Sequence, residues 1–409
     1  MRIGTLFILA AVLAGCSSAA GTQAVPGSSA GTEPAASRAF GREAPLYSFE
    51  GRASGGAPMS GLLLHNGLLY GTTSAYGKGY GTVFDIDAFG KLHVLYAFTG
   101  YPDAQYPQAG LVFFNGAFYG TSSAGGVYAG GTIFSVSPDG AEHVVHSFGN
   151  RRDGALPLAG LLDVNGVLYG TTQDGGNSTK GTVFELDASG ERVLHSFAGA
   201  PADGGHPTAG LIRYKDTLFG TTRAGGQLAA GGTVYRISPF GQERVLHSFG
   251  VNHGDGMNPA GPLVVVNGEF YGTTLRGGDR ISAGTVFAMS PSGSEQVLHS
   301  FDAGADGSSP LAGLVLVGGE LYGTTMNGGL TERRSGDCLS GPDSTGSPTC
   351  GTIFKIDAFG REQVVYRFRG YSDGANPEAG LTNISGTLYG TTTWGGQHVD
   401  FGTVFRLLP

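Results

Sequence analysis

The sequence predicts an all-β protein, a seven-bladed β-propeller with four antiparallel strands in each blade. Three recurring phrases carry that prediction. An aromatic residue followed by Gly-Thr-Thr or Gly-Thr-Ser recurs at Gly71, Gly120, Gly170, Gly220, Gly272, Gly323 and Gly390. A second phrase, Gly-Thr-Val/Ile-Phe/Tyr, begins at Gly81, Gly131, Gly181, Gly232, Gly284, Gly351 and Gly402. The third, Leu-His-Ser-Phe in its commonest form, also has seven copies, but it is out of step with the others. Its first copy, Leu46-Tyr47-Ser48-Phe49, precedes any complete repeat, and the last repeat runs to Pro409 without one. The orphaned phrase therefore reads as the outermost strand of the seventh blade, supplied from the other end of the repeat array so that the ring closes and no sheet edge is left unpaired.

One unit, Leu161 to Phe197, shows how each element follows from its residues. Leu161-Leu162-Asp163-Val164 is a short apolar strand, and Asn165-Gly166 supplies the positive φ angles of a two-residue hairpin turn. Val167 to Thr172 returns as a second strand rich in residues that suit a pleated surface. Gly175-Gly176 marks an open loop, Thr182 to Leu186 alternates as a third strand, and Asp187-Ala188-Ser189-Gly190 turns into a fourth, Arg192 to Phe197. Nothing in the unit has helical spacing. Four strands per roughly 50 residues, repeated in tandem, specify a propeller blade.

Composition agrees. Glycine accounts for 75 of 409 residues, far above the usual roughly 7%, yet no Gly-X-Y period runs through the chain. The apolar fraction of 40% is too high for a disordered polar tract. A net charge of −8 without basic runs argues against nucleic acid or an anionic membrane surface as a general partner. A monomer is expected.

The phrases L-Y-G-T-T-x-x-G-G, G-T-V-F, L-H-S-F and D-G-x-x-P resemble the GloVer tandem repeat over nearly everything from Leu46 to Pro409. Members of that family differ in how they are attached to the cell, and the resemblance implies no particular activity. Kelch repeats are a more distant comparison, because their spaced Tyr and Trp are missing and Trp394 is the only tryptophan in the chain.

The first 15 residues read as a lipoprotein signal peptide. Met1-Arg2 is followed by an apolar run from Gly4 to Leu13, which is too short to span a bilayer. Leu13-Ala14-Gly15-Cys16 resembles a lipobox, which makes Cys16 the lipidated first residue of the mature chain, against the plainer reading of a lone thiol. Ser17 after it suits an outer-membrane destination in a Gram-negative envelope. Residues 16–45 are Ser-, Ala-, Gly-, Thr- and Pro-rich and read as a flexible tether with an end-to-end distance on the order of 30 Å. The propeller is assigned to residues 46–409.

Candidate site residues lie in the loops. Asp103, Asp153, Asp203, Asp255, Asp306 and Asp373 hold one repeat position, with Ser54 in the seventh place. They read either as Asx-type turns, the preferred reading, or as a carboxylate ring near the channel mouth that binds calcium. His146, His195, His247 and His299 share a position with Tyr47, Tyr96 and Tyr366, so packing of a ring with a polar tip explains them better than metal ligation. Where repeats differ after the second strand stand Tyr76, Asp174, Arg223, Arg276, Asn327 and Trp394, a set suited to a sugar or an anionic glycan. The same loop of the sixth repeat is expanded and holds Cys338 and Cys350, read as a disulfide in preference to a metal pair.

The function expected from these features is a non-catalytic, lipid-anchored envelope protein that binds or scaffolds a glycan or protein, with no cofactor. The alternative is a glycan-active lyase or hydrolase in which Asp174 serves as acid or base and Arg223 and Arg276 hold an anionic sugar.

Overall fold

Each repeat folds into a four-stranded antiparallel meander in the computed structural model, which describes residues 42–150, 152–279, 282–329, 350–398 and 400–409. Blade 3 runs through Leu162–Val164, Val167–Thr172, Thr182–Asp187 and Gly190–Ser196. Its first hairpin turns on Asn165 and Gly166 at φ 56° and 84°, the left-handed pair that the right-handed twist of a tight hairpin requires. Seven such sheets form the ring. Their first strands begin at Leu63, Val112, Leu162, Ile212, Val264, Val315 and Thr382. Helical structure among the described residues is limited to two 3₁₀ turns, Arg52–Ser54 and Tyr371–Asp373.

Packing explains why the phrases recur. The glycine of aromatic-Gly-Thr-Thr lies opposite the aromatic residue of Gly-Thr-Val-Phe on the adjacent strand, as in Gly71 and Phe84. A Cβ on Gly71 would sit 2.7 Å from the Phe84 ring, and at Gly120 2.6 Å from Phe134, so only glycine leaves room for the ring. The second hydroxyl residue of the phrase pairs with the threonine of Gly-Thr-Val-Phe in every blade, for example Thr172 with Thr182 at 2.8 Å and Thr392 with Thr403 at 2.9 Å. The first threonine reaches across to the next blade. The hydroxyls of Thr72, Thr121, Thr171, Thr221, Thr273, Thr324 and Thr391 donate to the carbonyls of Ala109, Ala159, Ala209, Gly261, Ala312, Ala379 and Ser60.

Between blades the core is aromatic. The phenylalanine of each Leu-His-Ser-Phe is buried and packs against the Gly-Thr-Val-Phe ring of the next blade, with centroids from 4.9 Å for Phe98 and Phe134 to 5.3 Å for Phe49 and Phe84. Such pairs add about 0.5–1.5 kcal/mol to the burial of the rings.

Closure uses the orphaned phrase. Arg42–Ser48 pairs antiparallel with Thr403–Leu408 and completes the seventh sheet. The strand extends upstream of the phrase as far as the Arg42–Leu408 pair. It also reproduces the irregularity of the internal fourth strands. A register shift opposite Val404 and Phe405 matches the one opposite Val183 and Phe184. Phe49 donates its N–H to the Gly402 carbonyl, and its ring meets Phe84 of blade 1. At the throat, a Cβ on Gly61 of blade 1 would lie 3.6 Å from the Gly380 carbonyl of blade 7. The last interface is thus built like the other six.

Replacing Phe49 with Ala is expected to cost about 3–5 kcal/mol, the usual loss for a large buried aromatic, read by denaturant unfolding. A chain beginning at Gly51 should lose melting temperature and associate on gel filtration; an unchanged melting curve with a monomeric peak would contradict the closure role. Gly120→Ala should destabilise by about 1–3 kcal/mol through overpacking against Phe134.

Candidate functional site

All seven blades contribute to one central cavity of about 620 Å³. Its throat is formed by the segments leading into the first strands, where backbone packs on backbone. A Cβ on Gly110 would lie 3.3 Å from the Gly61 carbonyl, and one on Gly160 3.2 Å from the Gly110 carbonyl. Walls this bare leave chemistry to two positions per blade. One immediately precedes the throat segment and holds Met59, Gln108, Leu158, Thr208, Ala260, Leu311 and Glu378. The other follows the Thr-Thr pair and brings Gln173 and Arg223 into the lining. Among the described residues that line the cavity, Glu378 is the only carboxylate and Arg223 the only cation.

Burial raises the Glu378 carboxyl above its ordinary value, opposed by the Thr393 hydroxyl nearby. A carboxyl group perturbed in this way within a cleft is a candidate acid or base. The residue was not singled out from the sequence, although the signal was present. Its position holds six residue types in seven blades while the Ala-Gly that follows is nearly fixed.

The six loop residues selected from the sequence do not share one wall. Arg223 lines the cavity. Asp174, Arg276, Asn327 and Trp394 lie one position further along the strand, where the main chain pairs with the incoming inter-blade loop, as Ala155–Asp174, Met257–Arg276, Ser308–Asn327 and Ala375–Trp394. Successive residues of an extended chain face opposite ways, so this register is set apart from that of Arg223. Asp174 accepts from His206 Nδ1 at 2.9 Å, and Asn327 accepts from the Asn376 amide at 3.2 Å. Arg276 and Trp394 are exposed, and Tyr76 packs edge-on against Phe401 at 4.8 Å. Asp174, Arg223 and Arg276 therefore do not converge on the cavity.

The repeated aspartates sit between blades. Asp103, Asp153, Asp203, Asp255, Asp306 and Asp373 each accept a backbone N–H in their own loop, such as Thr99 to Asp103 at 2.8 Å and Ala198 to Asp203 at 2.7 Å. Ser54 accepts the Glu50 N–H in the seventh place. None of the six lines the cavity. Most also meet the ring tip of the preceding strand. Tyr96, Tyr366, His146, His195 and His299 approach Asp103, Asp373, Asp153, Asp203 and Asp306 at 2.8–3.2 Å. A glutamate of the next blade completes each group.

These glutamates are Glu142, Glu191, Glu243, Glu295, Glu362 and Glu43. Burial raises Glu43 and Glu191 to about 8 and the other four to about 7, and a neighbouring aspartate pushes each in the same direction. Where the aspartate is replaced by Ser54, blade 1 carries Leu92 at the start of its fourth strand, so the two carboxyls are absent together. Cys350 is buried. Its expected partner Cys338, the lipobox cysteine Cys16 and the tether to residue 41 lie outside the described residues.

A seven-bladed ring assembled from tandem repeats, with one chemically distinctive throat, defines the class. The model of the Gloeobacter/Verrucomicrobia repeat matches residues 33–226 and 115–337, and the chain belongs to that family. None of the curated proteins matches it in sequence.

Among solved structures it is similar to a gluconolactonase from Xanthomonas campestris at 13% identity, covering 69% of this chain and 85% of that one with a TM-score of 0.42. A protein described as a candidate 6-phosphogluconolactonase from Bacteroides uniformis gives 15% identity, 81% and 95% coverage and a TM-score of 0.48. A puromycin hydrolase gives 13% identity and a TM-score of 0.47, with 82% of this chain aligned to 50% of that one. These likenesses concern the fold. The expectation of a non-catalytic binding module is corrected here: it rested on finding no acid or base, and the throat holds a candidate for one in Glu378.

The six inter-blade glutamates set a pH dependence. An unfolded glutamate titrates near 4.5, whereas these hold their protons to about 7 or 8. The folded state therefore binds more protons across that window, and stability falls as pH rises through it. Melting temperature should drop between pH 5 and pH 8 in the presence of a chelator, and Glu191→Gln should flatten the slope; a melting temperature that climbs over this range would contradict the assignment.

Proposed function

We propose that the protein is a hydrolase acting on a small anionic sugar derivative, an ester or lactone, seated in the central cavity. The observation that carries this reading is the pairing of one raised carboxyl, Glu378, with one guanidinium, Arg223, in a throat otherwise lined by backbone, apolar groups and neutral polar side chains. Glu378 acts as the general base that takes a proton from the attacking water, a role favoured by a carboxylate of raised basicity. Arg223 holds the substrate's carboxylate or phosphate through paired N–H donors. Glycosidic cleavage ordinarily uses two carboxylates, and the throat offers one, so ester or lactone hydrolysis suits it better.

We further propose export and anchoring through a lipid on Cys16, on the strength of the lipobox-like Leu13-Ala14-Gly15-Cys16 and its preceding apolar run, with Cys338 and Cys350 joined as a disulfide. Outer-membrane attachment follows from Ser17 if the envelope is Gram-negative.

The test is hydrolysis of a panel of aldonolactones, acyl sugars and their phosphorylated forms by the full chain. Glu378→Gln should lower kcat about 100-fold or more, and Arg223→Ala should raise KM for anionic members of the panel while sparing neutral ones. Activity should rise with pH as Glu378 loses its proton. Full activity in Glu378→Gln, or no turnover of any panel member, would overturn the proposal. Incorporation of labelled fatty acid that is lost in Cys16→Ala would support the anchor.

A further inference from the structure

One of the inter-blade carboxyl groups differs from its equivalents. Every one of these interfaces leaves its glutamate Oε1 buried without a hydrogen-bond partner, but only between blades 4 and 5, beside Glu295, are a histidine Nε2 and an aspartate Oδ1, those of His247 and Asp255, buried without one as well. The Asp255 side chain is only 4% exposed and the His247 side chain 16%. In the neighbouring group, by contrast, His195 Nε2 lies 3.2 Å from Asp203 Oδ2, and Asp203 Oδ1 accepts the Gly204 N–H at 2.6 Å. At the blade 4 to 5 interface the ring nitrogen stands 3.7 Å from Asp255 Oδ2, too far for a hydrogen bond. Donor atoms of His247, Asp255 and Glu295 all lie within 4.8 Å of one another; those of His195, Asp203 and Glu243 do too, but there the histidine and the aspartate already engage each other.

A buried polar atom without a partner is costly, and this cluster holds one imidazole nitrogen and two carboxyl oxygens that lack one. No lysine or arginine forms a salt bridge to Asp255 or Glu295 among the described residues. The Gly250 N–H to Asp255 Oδ2, at 2.8 Å, is the remaining support of that carboxylate. We propose that His247, Asp255 and Glu295 bind a divalent transition-metal cation of the zinc type, with one imidazole nitrogen, two carboxylate oxygens and a water as its ligands.

The chemistry fits on three counts. One nitrogen and two oxygen donors are a familiar zinc set. Bonds of about 2.0–2.2 Å in a tetrahedral arrangement place ligand atoms about 3.4 Å apart, close to the 3.7 Å separation of His247 and Asp255. Two carboxylates also balance the charge of a dication in a buried setting. The ligands come from adjacent blades: His247 and Asp255 belong to blade 4 and the loop leaving it, and Glu295 opens the fourth strand of blade 5. The ion would therefore act as a clamp across one interface, held by residues none of which lines the cavity, and its presence does not depend on the hydrolase reading.

The repeats themselves supply the variant. Tyr96 and Tyr366 occupy the position equivalent to His247, so His247→Tyr is a substitution this architecture already accommodates, and a phenol is a poor ligand for this class of ion. Tag-free full-length chain, stripped with a chelator, is titrated with Co²⁺ by visible absorption and with Zn²⁺ by calorimetry. The expected result is one equivalent bound, a ligand-field spectrum of low coordination number, and a rise in melting temperature on adding Zn²⁺. His247→Tyr should lose about 100-fold or more in affinity, whereas His195→Tyr should bind as the parent does. Absence of saturable binding by the parent chain, or unchanged binding in a folded His247→Tyr, would overturn the proposal.

Discussion

The structure depends on a circuit of threonine hydroxyls. Each Gly-Thr-Thr phrase sends one side chain across a blade boundary to a throat carbonyl, from Thr72 to Ala109 through to Thr391 and Ser60. Buried carbonyls near the axis have few available donors, and an unsatisfied one costs about 1–3 kcal/mol. The hydroxyl solves this only when the neighbouring blade stands at the correct distance, so the same bond that satisfies a blade also sets its spacing. The throat glycines make that spacing small. With backbone against backbone, as at Gly110 and Gly61, a side chain at these positions would force the blades apart and break the circuit.

A circuit of this kind makes the seven blades equal at the positions it uses and leaves others free. Freedom is concentrated at two sites per blade, the residue before the throat segment and the residue after the Thr-Thr pair. There the chain departs from symmetry, with methionine, glutamine, leucine, threonine, alanine, leucine and glutamate following one another around the axis. The loops outside this inner register are tied by main-chain pairing to the incoming segment. Their varied side chains therefore decorate a rim, and of two exposed arginines Arg223 lines the cavity whereas Arg276 does not.

Much of the fold could be read from the residues. Three phrases in seven copies each, a hairpin turn at Asn165-Gly166 and an orphaned Leu46 to Phe49 specify blade number, strand count and closure, because each records a local steric or hydrogen-bonding demand that recurs unchanged. The site was harder to read. Choosing loop residues by their irregularity mixed three successive registers, and a sequence does not say which of two successive side chains faces the axis until the pleat is placed. Glu378 sits beside an Ala-Gly whose role in throat packing is visible only once the blades are in a ring. The inter-blade glutamates escaped for a similar reason. Each looks like an ordinary exposed strand residue within its own blade, and it is the aspartate of the preceding loop that buries it.

The closing strand has a consequence for the order of events during folding. Arg42–Ser48 is synthesised before any blade, yet its partner, Thr403–Leu408, is the last strand of the chain. Contacts this distant in sequence are slow to form because the loop must close before the pairing is rewarded. Six blades can assemble on their own neighbours while the first strand waits with an unpaired edge. Completion of the ring is therefore a report that the seventh blade has arrived, and a chain cut short at any earlier blade keeps its first strand exposed as the mark of an unfinished ring.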